Sequence, residues 1–136
     1  MEIKVYNSLP EEAFAIRIKV FCDEQGFVDE IDDTDNAATH FVAFDGDKAI
    51  ATCRVFLKDN NYVLGRFAVI ADYRKRGIGR ALLNFAECYV KKHGYNCLTL
   101  HSQLRAALFY EKCGYSSYGE LELEENYPHI WMKKYL

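Results

Sequence analysis

Gly65-Arg66-Phe67-Ala68-Val69-Ile70-Ala71-Asp72-Tyr73-Arg74-Lys75-Arg76-Gly77-Ile78-Gly79-Arg80 joins a strand-like run to a helical one through a turn rich in arginine and glycine. The strand reads from Tyr62 to Val69. The helix runs from about Gly77 to His93, with Ile78, Leu82, Phe85 and Tyr89 on one face and Gly94 as its stop. The first backbone N–H groups of a helix lack intrahelical partners and carry partial positive charge, so such a turn is an anion site. Glycine at Gly77 and Gly79 lets a phosphate approach the backbone, and Arg74, Lys75, Arg76 and Arg80 add charge. Cys97 to Ser102 supplies a further strand, which closes a βαβ unit and implies locally parallel strands.

Two nucleotide-binding turns are excluded. No G-x-x-x-x-G-K-[ST] string occurs, and the dinucleotide fingerprint needs a small residue where the chain has Leu82. The remaining pattern, Arg/Gln-x-x-Gly-x-Gly/Ala between strand and helix, is met by Arg74, Gly77 and Gly79.

Working outward, Glu2 to Tyr6 alternates as a strand. Ser8-Leu9-Pro10-Glu11 reads as a capping box opening a helix to about Phe21, with Phe14, Ile18 and Phe21 as its core stripe. Cys22 to Thr39 loses periodicity and is a loop or a broken short helix. Its acidic cluster from Asp29 to Asp35 either attracts a cationic amine or is simply solvated. His40 to Phe44, the turn Asp45-Gly46-Asp47 and Lys48 to Lys58 form a hairpin, and Asp59-Asn60-Asn61 turns the chain into the strand at Tyr62. Leu104 to Cys113 is a short helix stopped by Gly114, and Tyr115 to Leu121 and His129 to Lys134 are the last strands.

With 136 residues and 50% hydrophobic side chains, the chain has the size and composition of one domain with one core, spanning 1–136. The net charge of −3 argues against a nucleic-acid partner, while the basic cluster at the turn suits a small anion. There is no run of about 18 apolar residues and no basic-then-hydrophobic start, so no membrane partner is expected and the expected location is cytoplasmic. The five cysteines are scattered, with no C-x-x-C pair, and read as reduced packing residues without a metal site.

Beyond the turn, Ala107-Leu108-Phe109-Tyr110-Glu111-Lys112-Cys113-Gly114-Tyr115 matches the pattern F-Y-E-K-x-G-F, with Tyr in the last position. Together with the turn and Gly65 to Val69, it gives the chain a nearly full-length resemblance to the GNAT N-acetyltransferases. Val20 to Gly26, Leu100-His101-Ser102-Gln103 and Pro128-His129-Ile130-Trp131-Met132 are similar to the small bacterial YjcF/ElaA-like branch, and the Pro-His-Ile-x-Met ending is similar to glyphosate N-acetyltransferase. The resemblance implies an α/β (α+β) fold: a mixed, mostly antiparallel twisted sheet with a central splayed parallel strand pair, flanked by helices. The splay is expected after Val69 and before Ser102.

The resemblance further implies that acetyl-CoA is the cofactor and a small-molecule amine the acceptor. Its pantetheine arm would pair with the backbone of Phe67, Ala68 and Val69, the Val69 N–H would face the thioester carbonyl, and Arg74 to Arg80, Ile78 included, would hold the pyrophosphate. Direct attack of an amine requires a base for the amine and a proton for the leaving thiolate. Tyr110 is the implied proton donor and His129 the implied base, with His101 as the alternative base beside the cleft and Gln103 in an orienting role. Phe21, Glu24 and Gln25 belong to the front motif and would line the acceptor pocket. Arg17 either binds an acceptor carboxylate or phosphonate or covers the sheet. The family often dimerises, which makes a homodimer one expected assembly. A non-catalytic acyl-CoA sensor and a protein N-acetyltransferase are the competing readings.

Overall fold

The computed structural model describes residues 1–28 and 31–136. In chain order they form β1 (Glu2–Tyr6), α1 (Glu11–Arg17), a π-helical segment (Ile18–Glu24), α2 (Asp33–Ala37), β2 (Thr39–Asp45), β3 (Lys48–Lys58) and β4 (Asn61–Val69). Then come α3 (Ile78–Lys92), β5 (Cys97–Gln103), α4 (Ala107–Lys112), β6 (Ser116–Glu124) and β7 (Tyr127–Tyr135). The strands described make one sheet in the order β1-β2-β3-β4-β5-β7-β6. Every neighbouring pair is antiparallel except β4 and β5. This is the mixed, mostly antiparallel sheet with one parallel pair that the resemblance implies.

Ile50 to Val55 of β3 are buried at every position, so helices cover both faces of the sheet. Side chains alternate between those faces. Phe41 lies opposite Cys53 and packs edge-on against Phe85 and Tyr89 of α3, which defines a back face. His40 and Arg54, also a register pair, point to the front face, where Arg54 reaches Asp32 and Asp35 of the α2 region. The hairpin turns carry the positive φ that their tight geometry demands: Asp59 and Asn60 between β3 and β4, Glu125 and Asn126 between β6 and β7.

Three expectations are corrected. The helix near the N-terminus starts at Glu11 with Pro10 as its N-cap and no side-chain cap. A proline forces the preceding residue into extended backbone, so Ser8 stands too far upstream to cap. The capping box lies instead at the start of α2, where Asp32 and Asp35 exchange backbone bonds. The buried stripe of α1 and its extension is Ala13, Ile16, Arg17 and Val20, with Phe14, Ile18 and Phe21 at its margin. Counting apolar residues alone passes over Arg17, which is buried because it is ion-paired. Finally, β6 continues past Leu121 to Glu124. A bulge absorbs two residues around Gly119, so Tyr118 faces Trp131 while Glu122 faces His129. The acidic residues Asp29 and Glu30 lie outside the described residues.

Candidate active site

The parallel pairing of β4 with β5 ends at Leu64 and Leu100, earlier than Val69. Arg66 causes the divergence on one side: its φ of 50° accompanies a register shift between β3 and β4, a bulge that bends β4 away. Beyond it, Ile70 N–H bonds Ile50 on β3. Alternation then turns the N–H groups of Phe67 and Val69 toward the gap left by β5. The gap is part of a cleft of about 760 Å³ that crosses the sheet.

The back end of this cleft is made of backbone. Gly77 caps α3 with a left-handed φ of 79° and no side-chain bond, so the first turn of the helix opens toward the cleft without a cap. Lys75, also at positive φ, helps to fold the turn. Gly79 lies close under two rings: a Cβ there would stand 3.4 Å from Phe109 Cζ and 3.6 Å from Phe67 Cε1. Phe67, Ala68, Val69, Arg74, Lys75, Gly77, Ile78, Gly79 and Arg80 all line the cleft. Arg76 does not; its guanidinium lies over the Tyr73 ring, 5.0 Å from its centroid. Arg74 donates from Nε to the Val69 carbonyl at 2.9 Å and forms an ion pair with Glu24, also at 2.9 Å. That pair takes Glu24 out of the cleft wall, while Phe21 and Gln25 remain in it.

Tyr110 lines the cleft from α4, packed on Phe67 and Phe109. Burial holds its phenol well above the usual tyrosine range, which keeps the proton on the oxygen. Among the described residues no hydrogen bond engages that hydroxyl. Tyr115, further along the chain, is instead bonded to Glu87 at 2.8 Å and lies outside the cleft.

The front end is made of side chains. His129 is buried, with Nδ1 2.9 Å from the Tyr127 carbonyl oxygen. His101 packs between the His129 and Trp131 rings, with centroids 5.0 and 4.7 Å away. Glu124 Oε2 is 3.2 Å from His101 Nδ1 and 3.8 Å from His129 Nε2. Gln103 donates to Gln25 at 2.9 Å, and the Tyr127 hydroxyl donates to the Gln25 carbonyl at 3.1 Å. Phe27 packs on Tyr127, and the Val28 N–H donates to Glu125. The front segment is thereby fastened across this end of the cleft.

Behind it, Arg17 and Arg54 both bond the Asp35 carboxylate, at 2.9 and 2.7 Å, and Arg54 also holds Asp32 at 2.8 Å. Burial alone would raise the Asp35 pKa, but the hydrogen bonds from Arg17 and Arg54 outweigh it and hold the carboxyl below its usual range. Arg17 therefore serves the wall through Asp35. Arg54 lines the cleft, its Nε buried without a hydrogen-bond partner among the described residues, and Arg66 reaches Asp32 at 3.5 Å. His40, on the Asp35 carbonyl, and His93, stacked on Tyr89, stand outside the cleft. No disulfide joins the cysteines among the described residues.

Sequence reasoning misses Arg54, Arg66, Phe27, Glu124 and Trp131, all of which line the cleft. The alternation Glu120-Leu121-Glu122-Leu123-Glu124 is the signal that extends β6 and reveals Glu124. No helix among the described residues is long and apolar enough to cross a membrane.

Residues 36–117 match the acetyltransferase (GNAT) domain family. The uncharacterized N-acetyltransferase YjcF of Bacillus subtilis is 33% identical over 127 residues, covering 91% of this chain and 91% of its own. A Lactobacillus plantarum structure assigned as an N-acetyltransferase superposes with a TM-score of 0.88 at 31% identity, covering 99% of this chain and 97% of its own. Escherichia coli ElaA shares the fold, with a TM-score of 0.87 at 23% identity and 98% of both chains covered. The chain belongs to the GNAT acetyltransferase family and is an acetyl-CoA-dependent N-acetyltransferase.

Proposed function

We propose that the chain transfers an acetyl group from acetyl-CoA to the primary or secondary amine of a small molecule, by direct attack in a ternary complex. The observation that carries this reading is that one cleft joins an uncapped helix start and a free strand edge to Tyr110 and His129. When bound, acetyl-CoA supplies an acetyl thioester as the electrophile. The N–H groups at the start of α3 would hold its pyrophosphate, with charge added by Arg74, Lys75 and Arg80. The backbone of Phe67 and Val69 would pair with the pantetheine arm along the edge that β5 leaves open. The Val69 N–H would serve as the donor to the thioester carbonyl oxygen.

His129 takes the proton of the attacking amine. Its Nδ1–H donates to the Tyr127 carbonyl, which leaves the lone pair on Nε2. Tyr110, kept protonated by burial, gives its proton to the departing sulfur. Gln103 orients the front wall through Gln25, and His101 supports His129 by tilted ring packing. The fastened segment Gln25 to Val28 favours a small acceptor over a polypeptide. The cytosol, which keeps cysteines reduced, is the proposed location, and 1–136 is proposed to act as one domain.

The test is release of the coenzyme A thiol from acetyl-CoA across a broad panel of small amines. Amine-dependent release is expected. Tight acetyl-CoA binding with silence across the panel would overturn catalysis in favour of a sensor, and turnover restricted to peptide amines would move the acceptor to protein.

A further inference from the structure

We propose that Glu124 is the proton outlet of His129 and the residue that ties His129 to His101. This rests on the reading of His129 as the base. The His129 side chain is only 7% exposed. Each turnover places a proton on Nε2, and that proton has to leave a buried ring. The Nδ1 side is closed, because its neighbour at 2.9 Å is the Tyr127 carbonyl oxygen, which accepts a hydrogen bond but is too weak a base to carry the proton onward. The Nε2 side faces Glu124 Oε2 at 3.8 Å, and the Glu124 side chain is 54% exposed. One carboxylate thus borders both the buried base and solvent.

The surroundings aim that carboxylate. Its Oε2 is 3.2 Å from His101 Nδ1, within reach of a hydrogen bond from that nitrogen. Trp131 stacks on His101 with an interplanar angle of 21° and donates from Nε1 to Glu122 at 3.1 Å. Glu122 Oε1 lies 3.5 Å from His101 Nε2, a buried nitrogen with no hydrogen-bond partner among the described residues, so the imidazole stands between two carboxylates. Glu125, the other carboxylate of this hairpin in the cleft wall, is occupied by the Val28 N–H. Glu124 is also the register partner of Tyr127, whose carbonyl sets the His129 tautomer. A single cross-strand pair therefore governs both nitrogens of His129.

The distance of 3.8 Å is too long for a hydrogen bond and is bridged by a rotation of the carboxylate or by one water. The proton balance is closed. The amine proton moves to His129 Nε2 as the C–N bond forms, and the sulfur takes the Tyr110 proton as the C–S bond breaks. His129 passes its proton through Glu124 to water, and Tyr110 recovers one from water. Glu124 acts through His129 and is a positioning residue.

The test uses Glu124→Gln in the full chain, with acetyl-CoA and the fastest amine of the panel, over a series of imidazole-buffer concentrations at constant ionic strength. Loss of an acid–base group predicts a fall in kcat of about a hundredfold, an unchanged KM for acetyl-CoA, and recovery of rate as imidazole rises. A wild-type rate, or a lowered rate that imidazole leaves flat, overturns the outlet. His129→Ala separates the two readings: a full rate in that variant removes the base itself, whereas a slow His129→Ala beside a wild-type Glu124→Gln removes only the outlet. Nitrogen-15 NMR of the free wild-type protein gives a readout without turnover. In the neutral tautomer of His129 the proton is expected on Nδ1, and its presence on Nε2 overturns the proposal.

Discussion

The start of α3 and the β6–β7 hairpin close opposite ends of the same cleft by different means. At the α3 end the polar groups belong to the backbone, and glycines at positions 77 and 79 keep it accessible. At the hairpin end they belong to His101, His129 and Glu124, and those side chains rest on a wall braced by ion pairs. A backbone site tolerates changes of side-chain charge but not of side-chain bulk. A side-chain site responds in the opposite way. Substitutions that exchange charge for bulk, or the reverse, therefore separate the two ends.

The largest effect is expected at the brace. Asp35→Ala leaves Arg17 and Arg54 buried without their shared carboxylate, which costs about 3–5 kcal/mol in chemical denaturation. The folded pKa of Asp35 is lowered, so its contribution is present above the unfolded value near 4 and fades as pH falls toward the folded value. Wild-type stability should drop in that acid window more steeply than that of the variant. Equal slopes would show that the brace contributes little.

Next comes Tyr110→Phe, which keeps the ring on Phe67 and removes only the hydroxyl. The expected loss is about a hundredfold in kcat with acetyl-CoA affinity intact, and steady-state kinetics beside calorimetry would expose an effect on binding instead. Gly79→Ala should act in reverse: the added methyl meets Phe109 and Phe67 only at ordinary contact distance, so the fold persists, while its bulk beside the α3 backbone weakens acetyl-CoA about tenfold and leaves the chemistry of bound substrate intact. Unaltered calorimetric affinity would mean that the methyl leaves the approach to the backbone open. The smallest effect belongs to Glu24→Gln. Its exposed pair with Arg74 contributes at most about 1 kcal/mol, and the difference in melting temperature should vanish in high salt.

The two ends are also unequally legible in the sequence. The α3 end is written locally, since a positive φ at Gly77 and an open approach at Gly79 both select glycine within a few residues of the preceding strand. The hairpin end depends on register. Ending β6 at Leu121 hides Glu124, and the two-residue bulge around Gly119 shifts the pairing, so that counting on from Tyr118 and Trp131 would set Glu120, not Glu122, opposite His129. Arg17 is ambiguous for a related reason: its partner Asp35 lies 18 residues along the chain, beyond any local pattern. Glu24 belongs to the front motif, but a motif does not tell that Arg74 draws its carboxylate aside.

The π-helical turn at Ile18–Glu24 also gives the molecule an evolutionary dial. Its bonds span five residues where an α-helix spans four, so it behaves as a helix carrying one inserted amino acid. Deleting a single codon there would let α1 run on as an ordinary helix, rotating the residues after the deletion by about 100°. Residues after the deletion, Gln25 among them, would leave the cleft wall and Glu24 would turn away from Arg74, while the backbone at the start of α3, far along the chain, would keep its course. A lineage with this fold could thus reshape the front of its cleft by losing three nucleotides, with the backbone groups at the start of α3 left in place.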